Sequence, residues 1–74
     1  MEPHVWLYTK DLRTVRIVQR PAESGTEVLF IGPDGVRMQQ AFATPDDASR
    51  FRSTLARRLV AKGFVLSWGA TDTP

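Results

Sequence analysis

The chain has 74 residues, 10 Lys+Arg against 8 Asp+Glu, a net charge of +2 and 42% hydrophobic residues, which suits one globular domain and excludes a chain too polar and charged to fold. With no cysteine and one histidine, disulfides, thiol catalysis and cysteine-ligated zinc are excluded, and no metal or other cofactor is expected. The start Met-Glu-Pro-His shows no basic, apolar leader, and no apolar run approaches the ~20 residues of a membrane span, so a soluble cytoplasmic protein without a membrane partner is expected.

Met1 to Pro3 reads as a frayed start. His4 to Thr9 is dense in β-branched and aromatic residues and predicts a strand. Lys10 to Arg13 reads as a turn. Thr14 to Arg20 alternates fairly well between polar and apolar and predicts a second strand, which Pro21 is expected to end because proline donates nothing to a ladder. Pro21 to Gly25 reads as a polar loop. Thr26 to Ile31 predicts a third strand, apolar on both sides and therefore central. Gly32-Pro33-Asp34-Gly35 is the strongest turn signal in the chain, and it predicts a hairpin with a fourth strand over Val36 to Phe42.

The helix that follows carries its own punctuation. Thr44 is the expected N-cap and Pro45 suits the first helical position; Asp47 gives a partial capping box, whose full form has Glu or Gln there. Ala48, Phe51, Leu55 and Leu59 form one apolar stripe, and Val60 lies off it. Asp46 and Asp47 sit at the positive end of the helix dipole, Arg57, Arg58 and Lys62 at the negative end, and Gly63 is the expected stop. Phe64 to Trp68 reads as a short fifth strand and residues 69–74 as a disordered tail, leaving an ordered core of about residues 4–68. The expected fold is α+β: a single domain with a four- or five-stranded antiparallel β-meander and one C-terminal helix packed across one face, ββββα with a short final strand.

One helix covers one face. Alternation assigns Val5, Leu7, Val15, Ile17, Phe30, Val36, Met38 and Phe42 to the helix side, and Trp6, Tyr8, Arg16, Val18, Arg20, Leu29, Ile31, Arg37 and Gln39 to the opposite side. A one-residue slip would exchange the faces. The second face thus mixes aromatic, aliphatic and basic side chains, and exposed apolar surface of that kind marks interaction sites. Three occupants fit it: a second copy or the chain's own last strand and tail, another protein, or nucleic acid with Trp6 and Tyr8 stacking on bases while Arg16, Arg20 and Arg37 hold phosphates.

Charge is uneven. Residues 50–68 hold Arg50, Arg52, Arg57, Arg58 and Lys62 and no acid. Arg50 and Arg57 point away from the apolar stripe and are candidate phosphate contacts, whereas Arg58 and Lys62 lie beside it and can snorkel over the core. Dipole complementation and solubility account for the same pattern. Catalysis is not expected. His4 stands near an end, and Ser24, Ser49, Ser53 and Ser67 lie in no nucleophile-elbow context. Asp46 and Asp47 point roughly 100° apart on a helix. So small a domain also leaves little room for a ligand pocket of ~300 Å³, and no small-molecule substrate is expected.

The runs Val5-Trp6-Leu7-Tyr8-Thr9-Lys10 and Val15-Arg16-Ile17-Val18-Gln19-Arg20-Pro21, with Gly32-Pro33 and a Phe…Leu…Leu…Gly helix, resemble small bacterial proteins of ββββα type. The resemblance spans most of the chain but rests on no specific motif and implies no site residue. The Thr-Pro-Asp-Asp-Ala helix start and Gly63-Phe64 are loosely similar to the WGR domain of DNA-damage-responsive proteins. That family's Trp-Gly-Arg precedes the helix, whereas Trp68-Gly69-Ala70 follows it and lacks the arginine. The ββββα order is also similar to dimeric coactivators that bind single-stranded DNA, in architecture alone. The expected function is a small non-catalytic interaction module, a homodimer or a binder of a protein partner through the second face. Nucleic-acid binding through Arg50, Arg57 and the Trp6/Tyr8 face is the alternative.

Overall fold

The computed structural model describes residues 3–35 and 37–69. Its elements are β1 (His4–Lys10), β2 (Arg13–Ala22), β3 (Gly25–Ile31), β4 (Arg37–Phe42), α1 (Pro45–Ala61) and β5 (Val65–Gly69). The strands form one antiparallel sheet in the order β4-β3-β2-β1-β5. The chain thus lays down a four-stranded meander, crosses one face as α1, and returns beside β1 at the far edge. This is the expected α+β architecture with its fifth strand. Val36 and residues 70–74, most of the expected tail, lie outside the described residues, as do Met1 and Glu2. Gly69, expected in the tail, is paired with Trp6 in β5.

Short turns fix the register. Asp11 and Leu12 alone separate β1 from β2, so Lys10 and Arg13 are paired strand residues rather than turn. Asp11 takes a φ of 55°, a left-handed conformation that aspartate tolerates better than most residues. Glu23 and Ser24 alone separate β2 from β3, because β2 runs through Pro21 to Ala22 instead of ending at the proline. The pairing with β1 stops at Gln19, so Pro21 lies where β2 is locally an edge and its missing N–H costs no ladder bond on that side. At Gly25 a Cβ would collide with the Phe42 carbonyl oxygen, so this close approach of β3 to the end of β4 requires glycine. Between β3 and β4, the Gly35 N–H donates to the Gly32 carbonyl at 3.1 Å, and Gly35 supplies a φ of +89°.

Both ends of α1 are closed. The Thr44 side chain accepts the Asp47 N–H at 3.2 Å. At the other end Gly63, at φ +99°, lets its N–H reach the Val60 carbonyl and the Phe64 N–H reach Leu59, both at 3.0 Å, the paired bonds of a Schellman motif. Lys10 Nζ donates to the Lys62 carbonyl at 2.7 Å, tying the end of β1 to the end of the helix. The reversal tucks Phe64 into the core. That core comprises Tyr8, Val15, Ile17, Val28, Ala48, Leu55, Leu59 and Phe64, with Trp6, Phe30, Phe42, Phe51 and Ala56 half-buried against it. The expected helix stripe is thus the one that packs, and Phe51 meets Phe42 at a 5.2 Å ring separation.

Candidate interaction face

Residues opposite each other in an antiparallel pair share a face, so the register assigns every strand side chain. Trp6, Ile17, Phe30 and Met38 form one row, and Tyr8 pairs with Val15. Both rows lie on the α1 side of the sheet, with Met38 exposed at the β4 edge. On β2, β3 and β4 the faces are as expected. On β1 they are exchanged: Trp6 and Tyr8 belong to the helix side, and Val5 and Leu7 to the open side. Tyr8 is buried, and Trp6 is half-buried with the Arg52 guanidinium 4.3 Å from its ring centroid. Neither aromatic stands on the open face as a stacking platform. The reason is that Val5, Trp6, Leu7 and Tyr8 are all apolar, so alternation along β1 carries no phase. The larger rings go where the helix can cover them.

The open face is built in rows across the sheet. Arg37, Ile31, Arg16, Leu7 and Trp68 form one, running from β4 to β5. Gln39, Leu29, Val18 and Val5 form the next, followed by Ala41, Glu27 and Arg20. Val5, Leu7, Val18, Leu29 and Ile31 make a contiguous aliphatic block over the three middle strands. Leu29 is buried among its neighbours, and the other four are half-buried. At the β5 edge Trp68 is 55% exposed and Val65 61%. Ser67 is the extra residue of a bulge there, and its hydroxyl donates to the Leu7 carbonyl at 3.2 Å. Among the described residues α1 is the one element outside the sheet, and it lies on the other side.

The expected basic residues Arg16, Arg20 and Arg37 are on this open face and exposed. Arg20 is committed: its Nε donates to Glu27 Oε2 at 2.6 Å, while Gln39 Nε2 donates to Glu27 Oε1 at 3.0 Å. Hydrogen bonds first from Arg20 and then from Gln39 hold the Glu27 carboxyl below its ordinary range, against an opposing effect of burial. Arg16 and Arg37 make no ion pair among the described residues.

Arg50 and Arg57 are exposed on the outer side of α1, across the sheet from Arg16, Arg20 and Arg37. The two arginine groups therefore do not converge, and the aromatic rings expected between them are inside. With Ser49, Ser53 and Thr54, Arg50 and Arg57 line an open depression of about 430 Å³. It is larger than the pocket room expected of so small a chain, but it lies on the helix surface. Arg50 reaches Asp47 at 3.9 Å, both largely in solvent, a contact of little energy. A smaller hollow of about 160 Å³ opens between Phe30, Leu55, Leu59, Arg58 and Lys62, where the last two lie beside the apolar stripe as expected. Among the described residues no three His, Cys, Asp or Glu side chains gather as a metal site, and no helix is long and apolar enough to cross a membrane.

Sequence reasoning placed Val5 and Leu7 on the wrong side and gave Arg52 no role. The signal for the first was present. Any hairpin that pairs Thr9 with Thr14 also pairs Trp6 with Ile17, and Ile17 was already on the helix side. Arg52 had no such signal, since its place over Trp6 exists only once Trp6 is under the helix. Comparison with protein-family models, with curated proteins and with solved structures gave no match.

Proposed function

We propose that this chain is a small non-catalytic interaction module that holds a protein surface on its open sheet face. One observation supports the reading: the aliphatic block of Val5, Leu7, Val18, Leu29 and Ile31 has no covering layer among the described residues, while the opposite face of the same strands packs its core against α1. A sheet face meant only for solvent would alternate apolar-in with polar-out. A peptide-display selection against the native chain, counter-selected on a Leu7→Ser/Ile31→Ser variant, tests it. Binders that lose the variant, with the variant still folded by circular dichroism, support the reading. Binders indifferent to the variant refute it.

A second reading draws on the exposed Arg50 and Arg57 beside the 430 Å³ depression, as a helix surface for phosphate. Titration with single- and double-stranded oligonucleotides at ~50 and ~200 mM salt tests it, because counterion release weakens phosphate binding steeply over that range. Arg50→Ala plus Arg57→Ala should then lower affinity and flatten the salt dependence. Unchanged affinity in the double variant removes this reading.

A further inference from the structure

We infer that the occupant of the open face is an acidic polypeptide segment, apolar along its centre and flanked by carboxylates; this rests on the interaction reading above. The strand residues of that face carry three cations, Arg16, Arg20 and Arg37, and one anion, Glu27. Both Glu27 oxygens are engaged, by Arg20 and Gln39. Arg16 and Arg37 have no carboxylate partner among the described residues. They stand in one row on either side of Ile31, two strand spacings or about 10 Å apart, with Leu7 beyond Arg16. The row therefore offers charge, aliphatic surface, charge and aliphatic surface in turn. Planar guanidinium groups suit paired recognition of carboxylates.

The same residues argue against the other occupants. A second copy would set a face with two surplus arginines against an identical one, with both Glu27 carboxylates already taken. Like charges opposed across an interface disfavour such a pairing. Nucleic acid would gain phosphate contacts at Arg16 and Arg37 but would lay its bases on aliphatic side chains. Trp6 and Tyr8, the rings that would have stacked on them, lie under α1, and Trp68 stands alone at the β5 edge. An apolar polypeptide surface matches Val5, Leu7, Val18, Leu29 and Ile31 directly.

The probes are a synthetic 18-residue amphipathic peptide with leucines on one side and flanking glutamates, and a counterpart with lysines in place of the glutamates. Methyl signals of Leu7, Val18 and Ile31 report the open face, and those of Ile17 and Leu55 report the core. The acidic peptide should shift the first set alone. Arg16→Glu plus Arg37→Glu should weaken it at least tenfold and let the lysine peptide bind, with the melting temperature of the exposed-site variant near native. Equal binding of both peptides would overturn the acidic assignment and leave the interaction reading standing. No shift at the open face with either peptide would count against both. A dimer in sedimentation equilibrium that Ile31→Ser abolishes would overturn the inference in favour of a second copy. A single-stranded oligonucleotide that shifts the same methyls more tightly would overturn it in favour of nucleic acid.

Discussion

Ile17 and Ile31 provide a matched test of which face is covered. They are the same residue on neighbouring strands, and they differ in the side of the sheet they occupy. Ile17 is fully buried among Trp6, Phe30 and the helix, and Ile31 is half-buried in the open row between Arg16 and Arg37. Ile17→Ala removes two carbons plus a methyl branch from a packed site and leaves a cavity, which costs about 2–5 kcal/mol. Ile31→Ala leaves no enclosed cavity, so it loses only part of the transfer energy, about 1 kcal/mol. The expected difference is therefore about 1–4 kcal/mol. With a urea slope of about 1 kcal/mol per molar for so small a protein, the midpoints should separate by about 1–4 M. The assay is urea unfolding followed by circular dichroism. A chain of this size seldom exceeds ~3–5 kcal/mol in stability, so Ile17→Ala can fail to fold altogether. Ile17→Val against Ile31→Val then gives the same comparison at smaller amplitude, ~0.5–1.5 kcal/mol for the buried site. Equal losses at the two positions would refute the reasoning. They would mean that the open face is covered in the isolated chain, and a dependence on protein concentration would then point to self-association.

Gly25→Ala should cost about 2 kcal/mol or more, because its Cβ meets a backbone carbonyl and the end of the β3–β4 ladder must open; a urea midpoint within experimental error of native would show that this crossing relaxes freely. Glu27 has a lowered folded pKa, so its stabilising effect is present above the unfolded value of about 4.3 and is lost as pH falls through the folded one. Melting curves from pH 6 to pH 3 should therefore fall less steeply for Glu27→Gln than for the native chain, and parallel curves would contradict the assignment. Trp6 is half-buried against Arg52 and Trp68 is 55% exposed, so a Trp68→Phe variant should emit at shorter wavelength than a Trp6→Phe variant. The reverse order would return Trp6 to the open side.

Local chemistry made most of the fold legible. The Thr44 cap, Pro45, the Ala48–Leu59 stripe and Gly63 each carry a short-range signal, and each does in the structure what that signal implies. Gly32 to Gly35 likewise closes its hairpin. What failed to show was whatever depended on a neighbouring strand. Pro21 reads as a stop in isolation, yet it is tolerated because β1 does not extend alongside it. Gly25 reads as loop composition, yet its cause is the Phe42 carbonyl, 17 residues away in sequence. The phase of β1 was hidden by four consecutive apolar residues and was recoverable only through the pairing with β2. The candidate face shared that fate: Arg16, Arg20 and Arg37 lie on the expected side, Arg16 and Arg20 flanking the buried Ile17 on β2, whereas Trp6 and Tyr8 were misplaced with β1.

The exchange on β1 changes the chemistry of the candidate face more than its location. With Trp6 and Tyr8 outward, the face would have been aromatic and basic, a description that suits stacked bases between phosphates. With Val5 and Leu7 outward, it is aliphatic and basic, and an aliphatic block gains from another apolar side chain rather than from a base. The arginines alone do not distinguish phosphate from carboxylate; the surface between them does. Folding and binding are then linked by mass action. A partner at a hundredfold its Kd adds about 2.7 kcal/mol to the folded state. That is comparable to the whole stability expected of a chain this short, about 3–5 kcal/mol. On the proposed function, a partner on the open sheet face would supply a second layer of packing to a domain too small for a large core.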